Sequence, residues 1–490
     1  MNTHFRLDNA RDTAIYIRQS SYGQPMQSLD VQTGECRRCA DANRLYVVSV
    51  YTDTLDNPFT SNRSALRRLL ADAAAGLFRY VVVLRDTYLA SHSYDLALCL
   101  SQLEQYRVRV LYAVPLPPLD GPRLVLQACL RETSALYAER LAAEIRRSLP
   151  SAPVAERIAT DGVPLGYALD GQALVPGENA FLIRDMFAAY ASGASFAETE
   201  AMYMQFNWPS YIDISNISLD VPALLRDEVY TGVLPFELIH IEDACPALVN
   251  KDLFARVQNR LAADRTPIED TAPHFFASHK LLCDKCTAPM RGVYHTLANG
   301  EEAYSYACTN HIDDEECHKV IEDKDALEIN IVECAMSILL APHNIDIVAN
   351  QIIDLYNKEY SNEALAAREQ AITNLLAQST ALQTPFFSDE RREEMSPLLD
   401  IAKTGVPDAQ LGHCRMRVAQ TIPCTHDMVR AWLHKLSDCR SENPVFRHYF
   451  FDNFVRAAWV NDQRILVALN LQLPGRADGI AYLSSREPSK

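Results

Sequence analysis

The stretch TAIYIRQS, residues 13–20, decides the fold, because it predicts a buried strand that ends in polar residues. Apolar runs of the same kind follow at Leu45–Tyr51, Phe78–Leu84 and Val108–Val114. Amphipathic stretches typical of helices separate them, at Ser28 to about Asn43, Arg63–Ala75 and Tyr94–Tyr106. Strands that alternate with helices form a parallel sheet that is covered on both faces. We therefore predict a doubly wound α/β domain over residues 1–122.

A longer helical pattern follows the sheet, from Arg123 to Leu149. Its apolar residues recur at intervals of four and seven, and so share one face: Leu126, Leu130, Tyr137, Leu141 and Ile145. A helix of this length extends about 40 Å at about 1.5 Å per residue. We predict an oligomerisation helix over residues 123–150, and the alternative is a helix packed in the core of its own domain. Pro150 and Pro153 end the pattern and mark a linker.

Polar residues cluster where the first strand ends. Arg18 and Ser20 are two residues apart, so their side chains point to the same side while the strand persists. Ligands bind at the carboxyl edge of parallel sheets. A serine hydroxyl is a poor nucleophile without help from its surroundings, and a neighbouring guanidinium can hold a phosphate oxygen against it. The pair therefore suggests attack on a phosphate.

The surrounding residues extend this pattern into a family resemblance. Tyr16-x-Arg18-x-Ser20, the segment Ser28–Gln32, Asp53 after the second strand and Arg63 at the next helix together resemble the catalytic domain of the resolvase/invertase family. The resemblance implies that Ser20 attacks a DNA phosphate and that Arg18 and Arg63 bind this phosphate. It also implies supporting roles for three further residues: Gln24, Gln32 and Asp53.

The segment after the third strand departs from that family, which carries Asp-Arg-Leu-x-Arg there. Thr87, Tyr88 and Ser91 stand at the positions of the Asp and the two Arg. A shift of one residue recovers Asp86 but neither arginine. Because phosphoryl transfer depends on neutralising charge on the phosphate, and one lost donor costs about 100- to 1000-fold in rate, we predict an impaired site. Arg85 and His92 remain open as replacements for the missing charges.

Residues 151–265 predict a mixed, mainly helical second domain. Gly162–Tyr167, Leu224–Val233, Cys245–Val249 and Phe254–Gln258 resemble segments of the recombinase domain, the DNA-binding domain of large serine recombinases. Residues 155–265 hold 7 bases and 16 acids, so we expect weak binding of duplex DNA, which depends on neutralising phosphates. Better candidates for phosphate contacts lie near the end of the preceding helix, unless they only form a solvated face: Arg140, Arg146 and Arg147.

Four cysteines have the spacing of a structural zinc site: Cys283, Cys286, Cys308 and Cys317. Paired thiolates at such spacing bind zinc tetrahedrally, and residues 275–340 resemble the zinc β-ribbon of the same family. The gap of eight residues before Cys317 leaves His311 or His318 open as a replacement for one cysteine. The pair Cys36 and Cys39 has no partner pair, so we interpret both as structural.

The remaining residues complete the predicted architecture. Residues 341–440 resemble the family's coiled-coil insertion, although Pro385, Pro397 and Pro407 interrupt it, and residues 441–490 form a closing segment that ends in a strand. No apolar run reaches the roughly 18 residues that a membrane span needs. The chain has 13 cysteines and we see no secretory signal, so we expect a reducing, cytoplasmic location.

Two functions fit these expectations. The first is a catalytically impaired accessory or partner subunit, which forms homo-oligomers or hetero-oligomers with another serine recombinase. The second is an active recombinase that cuts and rejoins duplex DNA through a Ser20 phosphoester. The net charge of −17 favours the first, because residues 1–150 hold 18 arginines and 15 acids while the remainder holds 28 bases and 48 acids. The acidic excess therefore lies in the part of the chain that would contact DNA.

Overall fold

The computed structural model describes most of the chain, in the ranges 11–19, 28–54, 63–90, 92–114, 121–205, 219–263, 275, 277, 280–296, 302–313, 317–382, 410–462, 464–471, 473 and 480–483. Ser20, Gln24 and Ser91 lie outside the described residues, as do Pro385, Pro397 and Pro407.

A four-stranded parallel sheet forms the N-terminal domain, in the order β2-β1-β3-β4. Its strands are β1 (Asp12–Arg18), β2 (Tyr46–Asp53), β3 (Tyr80–Val83) and β4 (Arg109–Tyr112). The helices are α1 (Leu29–Ala42), α2 (Ser64–Ala74), α3 (Asp86–Leu89) and α4 (Ser93–Gln105). All four residues of β3 are buried, as expected for a central strand covered on both faces. The predicted doubly wound α/β fold is thereby confirmed.

The single long helix predicted over Arg123–Leu149 is wrong, because two helices occupy this stretch: α5 (Gly121–Arg131) and α6 (Ser134–Ser148). The break has a local cause. The hydroxyls of Thr133 and Ser134 donate to the carbonyl oxygens of Leu130 (3.3 Å) and Arg131 (2.8 Å). Such bonds compete with the helical ladder. The five apolar residues of the predicted stripe are all buried in the core of this chain, as the alternative interpretation expected.

The second unit has a hydrophobic core of its own. It contains α7 (Ala152–Asp161), β5 (Tyr167–Asp170), β6 (Ala173–Pro176), α8 (Ala180–Ala191), α9 (Phe196–Met204), α10 (Val221–Arg226), β7 (Leu234–Phe236), β8 (Ile239–Ile241) and α11 (Lys251–Ala263). Gly166 has a φ of +83°, and a Cβ there would lie 2.6 Å from the Ile183 side chain. The Tyr167 hydroxyl lies 2.8 Å from the carbonyl oxygens of both Val229 and Pro246. The segment Gly162–Tyr167 therefore joins several parts of this unit through its last two residues.

One hairpin of this unit packs elsewhere. Strands β7 and β8 place four apolar side chains in the core that contains the N-terminal domain: Phe236, Leu238, Ile239 and Ile241. Strand β8 packs on α6. The side-chain amide of Gln102, on α4, donates to the carbonyl oxygen of Leu238 at 3.0 Å. The hairpin thus joins the two units through buried contacts.

Two small sheets form the cysteine-containing region, in the orders β10-β11-β12 and β15-β14-β13-β9. They consist of β9 (Leu281–Cys283), β10 (Met290–Thr296), β11 (Glu302–Cys308), β12 (Glu322–Asp323), β13 (Val455–Val460), β14 (Ile465–Leu469) and β15 (Ile480–Leu483), with α12 (Thr309–Asp313) between β11 and β12. Strand β13 pairs with β9 in parallel, with Ala458 opposite Leu281. The closing segment is therefore part of the same sheet as the first cysteine strand.

Helices connect the two halves of this region and cover the N-terminal domain. They are α13 (Lys324–Leu339), α14 (Pro342–Glu359), α15 (Asn362–Leu382), α16 (His426–Ser437) and α17 (Pro444–Phe454). Helix α14 packs on α5 and α16. The Ser93 backbone N–H and hydroxyl both donate to the Glu359 carboxylate, at 3.0 and 2.6 Å. Among described residues no single helix meets the criteria for a membrane span, and one pair bent by 84° does so by length and composition only.

Candidate functional site

Asp53 joins three elements at the carboxyl edge of the sheet. Its side chain is buried and accepts hydrogen bonds from the Tyr16 hydroxyl at 2.7 Å and from the backbone N–H groups of Ala65 (2.8 Å) and Leu66 (3.2 Å). The two N–H groups belong to the first turn of α2, where a helix favours a negative charge. Asp53 therefore caps α2 and fixes it to strands β1 and β2.

Gln32 fixes the end of the first strand. Its carboxamide pairs with the backbone of Arg18, accepting from the N–H at 3.2 Å and donating to the carbonyl at 3.0 Å. Gln32 is fully buried on α1. These two hydrogen bonds resemble those of a neighbouring strand, and they hold the backbone of Arg18 at the edge of the sheet.

Arg63 lies inside the protein rather than on its surface. Arg63 is only 4% exposed, and its guanidinium donates hydrogen bonds to the carbonyl oxygens of Tyr88 (3.3 Å) and Leu89. Burial lowers the pKa of Arg63, but Tyr16 and Glu237 outweigh that effect and leave the pKa above its usual range. Through these hydrogen bonds Arg63 holds the segment that follows β3 in place.

Arg18 is half-buried and stands beside that buried charge. Burial and then the like charge of Arg63 lower the pKa of Arg18. A pair of guanidinium groups in electrostatic contact favours an anion between or beside them, since an anion relieves their repulsion. Of the two arginines implied by the resemblance, Arg18 is the more accessible.

The segment after β3 contributes little positive charge to the site. Asp86 and Tyr88 are buried, and Asp86 accepts the N–H of Thr87 at 2.8 Å while its other oxygen lies 4.0 Å from Arg123. Arg85 is exposed. Burial lowers the pKa of His92 to about 4, so this ring is neutral near pH 7 and does not replace a guanidinium.

Glu237 is a charged residue near this site that sequence reasoning missed. It lies in the turn of the β7–β8 hairpin with a φ of +55° and is 6% exposed. Its carboxylate lies 3.3 Å from the Arg415 guanidinium and interacts electrostatically with Arg18 and Arg63. Local sequence gives no signal for this, because the acid lies more than 170 residues beyond Arg63 and reaches it only in the fold.

Buried charges continue from Glu237 into the neighbouring elements. Arg415 also pairs with Asp95 at 2.8 Å, and Glu156 pairs with Arg67 at 3.5 Å. Burial and then the charge of Glu237 raise the pKa of Glu156 to about 8, so this carboxyl is mainly protonated near pH 7. Together these ionisable groups form an ionic cluster that joins α2, α4, α7, the hairpin and the helical residues 410–420.

The three arginines predicted to contact DNA are all engaged within the chain. Arg140 donates to the carbonyl and hydroxyl of Thr421, at 2.6 and 2.9 Å. Arg146 donates to the Glu242 carbonyl at 3.2 Å, and Arg147 pairs with Glu144. Arg146 and Arg147 are exposed, whereas Arg140 is half-buried. Exposed pairs of this kind exchange readily for other partners, so Arg146 and Arg147 remain the better candidates.

The four predicted cysteines converge at one point. Their sulphur atoms all lie within 4.8 Å of one another, with 3.7 Å between Cys283 and Cys317 and 3.4 Å between Cys286 and Cys308. A tetrahedral zinc ion with bonds of about 2.3 Å would set its sulphurs about 3.8 Å apart. His311 instead bonds the Cys317 carbonyl at 2.7 Å through its Nδ1. The cluster could hold a metal ion, and its four ligands are cysteines.

A comparison with protein-family models finds one similarity, in the N-terminal part of the chain. Residues 13–146 match the family model of the resolvase N-terminal domain. This stretch is therefore similar to a resolvase N-terminal domain, and it includes Ser20, Arg18 and Arg63. No curated protein matches the chain.

Two solved structures are similar to the chain at low identity. One is described as a crystal structure of an LSR–DNA complex, with 14% identity over 65% of this chain and 94% of that chain, and a TM-score of 0.21. The other concerns the sequence requirements of the Listeria innocua prophage attP site, with 17% identity over 36% of this chain and 77% of that chain, and a TM-score of 0.19. At such TM-scores neither supports an argument about this chain.

Proposed function

We propose that the chain acts in site-specific DNA recombination as a large serine recombinase whose own strand-exchange site is impaired. It then works as an accessory or partner subunit of an active recombinase, in a homo-oligomer or a hetero-oligomer. The observation that carries this proposal is the position of Arg63, which is buried and bound to the carbonyl oxygens of Tyr88 and Leu89. An arginine held in this way is not available to a DNA phosphate.

The chemistry of the reaction explains why this matters. Phosphoryl transfer relies on preorganised positive groups that neutralise the phosphoryl oxygens. The segment after β3 places Tyr88 in the core where the family has an arginine, and the neutral His92 does not compensate. Arg18 then remains as the accessible guanidinium of the pattern, and the nearby Glu237 carboxylate opposes an incoming phosphate.

The alternative is an active recombinase that uses other cations. Arg85 is exposed directly after β3, and the Arg123 side chain is 40% exposed beside Asp86. Both lie at the carboxyl edge of the sheet, the same edge as Arg18. These two arginines are the specific observation that favours a working site.

A covalent trapping assay separates the two functions. The purified chain is mixed with duplex DNA from the flanks of its own gene, with and without an intact recombinase encoded nearby, and protein–DNA adducts are resolved on denaturing gels. The Ser20→Ala variant is the test, and Ser21→Ala is the matched control at the adjacent serine. We expect no adduct from the chain alone and a changed reaction of the recombinase in its presence. An adduct from the chain alone that only Ser20→Ala abolishes would overturn the proposal.

We also propose that the cysteine cluster binds one structural zinc ion in a cytoplasmic protein. The four thiols and the fit of the sulphur separations support zinc, which prefers such tetrahedral thiolate sites. Duplex DNA is the proposed partner of the exposed Arg146 and Arg147. Charge reversal of both should weaken non-specific binding of duplex DNA and reduce its salt dependence, which anisotropy titrations at several salt concentrations would measure.

A further inference from the structure

A large cavity lies along the free edge of the N-terminal sheet. Its volume is about 1570 Å³, and its walls come from β4, α5, α17 and the region around Lys324. Seven consecutive residues, Arg107 to Ala113, line it. Because residues that point to both faces of the strand take part, the cavity follows the edge of β4 rather than one face of the sheet. Pockets for small ligands measure roughly 300–1,000 Å³, so this cavity has room for a segment of chain.

Within the described part of the chain, strand β4 pairs with another strand on one side only. On that side it pairs with β3, where Arg109 donates to the Arg79 carbonyl and Ala113 to the Val83 carbonyl, both at 2.9 Å. Since alternate residues of a strand direct their backbone groups to opposite sides, Val110 and Tyr112 direct theirs into the cavity. No described residue bonds the backbone N–H of Val110 or Tyr112. Such an edge is a template for a further strand.

A second observation comes from Gln127 on α5, which also lines the cavity. Gln127 is 1% exposed, and neither its amide nitrogen nor its amide oxygen has a hydrogen-bond partner in the described part of the chain. A buried polar group without a partner costs about 1–3 kcal/mol. A carboxamide matches the donor and acceptor of a peptide backbone, as the pairing of Gln32 with Arg18 demonstrates in this same chain.

The charge of the lining indicates the chemistry of the occupant. Nine basic and five acidic residues line the cavity, in a chain with a net charge of −17. Among the described residues, the buried Arg79 Nε has no hydrogen-bond partner, and Arg107 is exposed. The guanidinium of Arg109 lies over the Tyr80 ring at 5.5 Å, and that of Arg131 over the Tyr449 ring at 5.6 Å. The lining therefore favours a negatively charged occupant.

We propose that this cavity binds an extended acidic segment of a partner protein, which adds to the sheet as a fifth strand beside β4. Backbone hydrogen bonds from Val110 and Tyr112 supply the affinity of such strand addition. Gln127 pairs with a backbone amide of the incoming segment, and the basic lining selects acidic side chains. The proposal concerns a protein contact away from the strand-exchange site and does not depend on whether Ser20 reacts.

The test uses the full chain and a labelled peptide of alternating glutamate and valine, about six residues long, the usual length of a strand. Fluorescence anisotropy compares it with a lysine–valine peptide and with an oligothymidylate of similar length. We expect the acidic peptide to bind best. Hydrogen exchange should then slow at the amides of Val110 and Tyr112, which a merely electrostatic contact would not require.

Two variants make the result specific. Val110→Pro removes the outward N–H and leaves the bonds to β3 in place, since proline is tolerated at the free side of an edge strand. Gln127→Leu removes the unpaired amide, and the exposed Gln370→Leu is its control. We expect each test variant to weaken peptide binding about tenfold, while Gln127→Leu melts no lower than the parent. Absent binding, equal binding of the lysine peptide, preference for the oligothymidylate, or unchanged affinity of both variants would each overturn the proposal.

Discussion

The strand-end site around Asp53 and the cysteine cluster around Cys283 are both polar sites, but they satisfy their polar atoms differently. At the strand end, the chain itself supplies partners: Asp53 caps α2, and Arg63 bonds the carbonyls of Tyr88 and Leu89. In the cluster, four thiols lie within 4.8 Å of one another and form weak pairs, Cys283 with Cys317 and Cys286 with Cys308. Thiols are weak hydrogen-bonding groups, so the bonds among these four contribute little to stability without a further ligand.

This difference separates scaffold from ligand site. Polar residues whose hydrogen bonds are made within the chain stabilise the fold and gain no further bond from a ligand. Polar groups that converge with weak bonds to one another, or with none, gain bonds when a ligand binds. By this criterion Asp53, Gln32 and Arg63 stabilise the domain, whereas the cysteine cluster and Gln127 are the two proposed ligand sites. The following predictions test this division.

Removal of metal should have the largest effect. Zinc contributes about 10–16 kcal/mol to the folding of small zinc domains, so Cys283→Ser or treatment with a strong chelator should unfold the cysteine region. Elemental analysis should find one zinc per chain in the parent and none in the variant, and the melting temperature of the variant should fall. Cys439→Ser, at an exposed cysteine, is the control. An unchanged melting curve after complete chelation would mean that the cluster is stable without a metal ion, as the strand-end site is without a ligand.

Asp53→Ala should destabilise the N-terminal domain by about 3–5 kcal/mol. The change removes three hydrogen bonds and leaves the N–H groups of Ala65 and Leu66 unpaired in the interior. Urea unfolding measures the loss, and Asp30→Ala, on the exposed face of α1, should cost less than about 1 kcal/mol. Equal effects of the two variants would contradict the structural role of Asp53.

Arg63→Lys distinguishes a brace from a phosphate ligand. A lysine keeps the charge but does not reproduce the fork of a guanidinium, so the carbonyls of Tyr88 and Leu89 lose bonds and stability should fall by about 2 kcal/mol. Binding of duplex DNA should be unchanged relative to the parent under conditions where both are folded. If the Arg63→Lys variant kept its full stability but clearly lost affinity for DNA, Arg63 would be a phosphate ligand and not a structural residue.

The pH dependence of stability should report the buried ionic cluster. The pKa of Glu156 is raised from 4.5 to about 8, so its stabilising contribution is complete below pH 4.5 and is lost as pH rises through about 8. Between pH 7 and pH 9 the loss should amount to about 1.4 kcal/mol. Urea midpoints across this range measure it. Glu156→Gln should flatten the profile, whereas the exposed Glu242→Gln should not, and a parent profile that is already flat would refute the assignment.

Short-range patterns in the sequence predicted the N-terminal domain well. All four strands and the helices α1, α2 and α4 follow from apolar runs and periodicity, which depend on neighbours along the chain. The short helix α3 was not predicted. The spacing of the four cysteines along the chain also predicted their cluster, whereas the segments of the second unit were expected only from a family resemblance. The choice of cysteine over His311 needed the coordinates, because the spacing allowed both.

Contacts between distant segments could not be predicted in this way. The apolar stripe of Arg123–Leu149 continues across Thr133 and Ser134, and only their bonds to preceding carbonyls end the helix. Glu237 meets Arg415 across 178 residues, and Ala458 pairs with Leu281 across a similar separation. Such pairs of residues give no periodic pattern in the sequence, because the tertiary fold brings them together and residues nearby in sequence do not.

The β7–β8 hairpin has a practical consequence for anyone who dissects the chain. Phe236, Leu238, Ile239 and Ile241 are covalently part of the second unit, yet they are packed in the core that contains the first. A fragment that stops at residue 150 would expose the apolar surface that these side chains cover, and such surfaces promote aggregation. The two units should therefore be expressed and purified as one piece, and a protease that cuts between them should release no soluble N-terminal fragment.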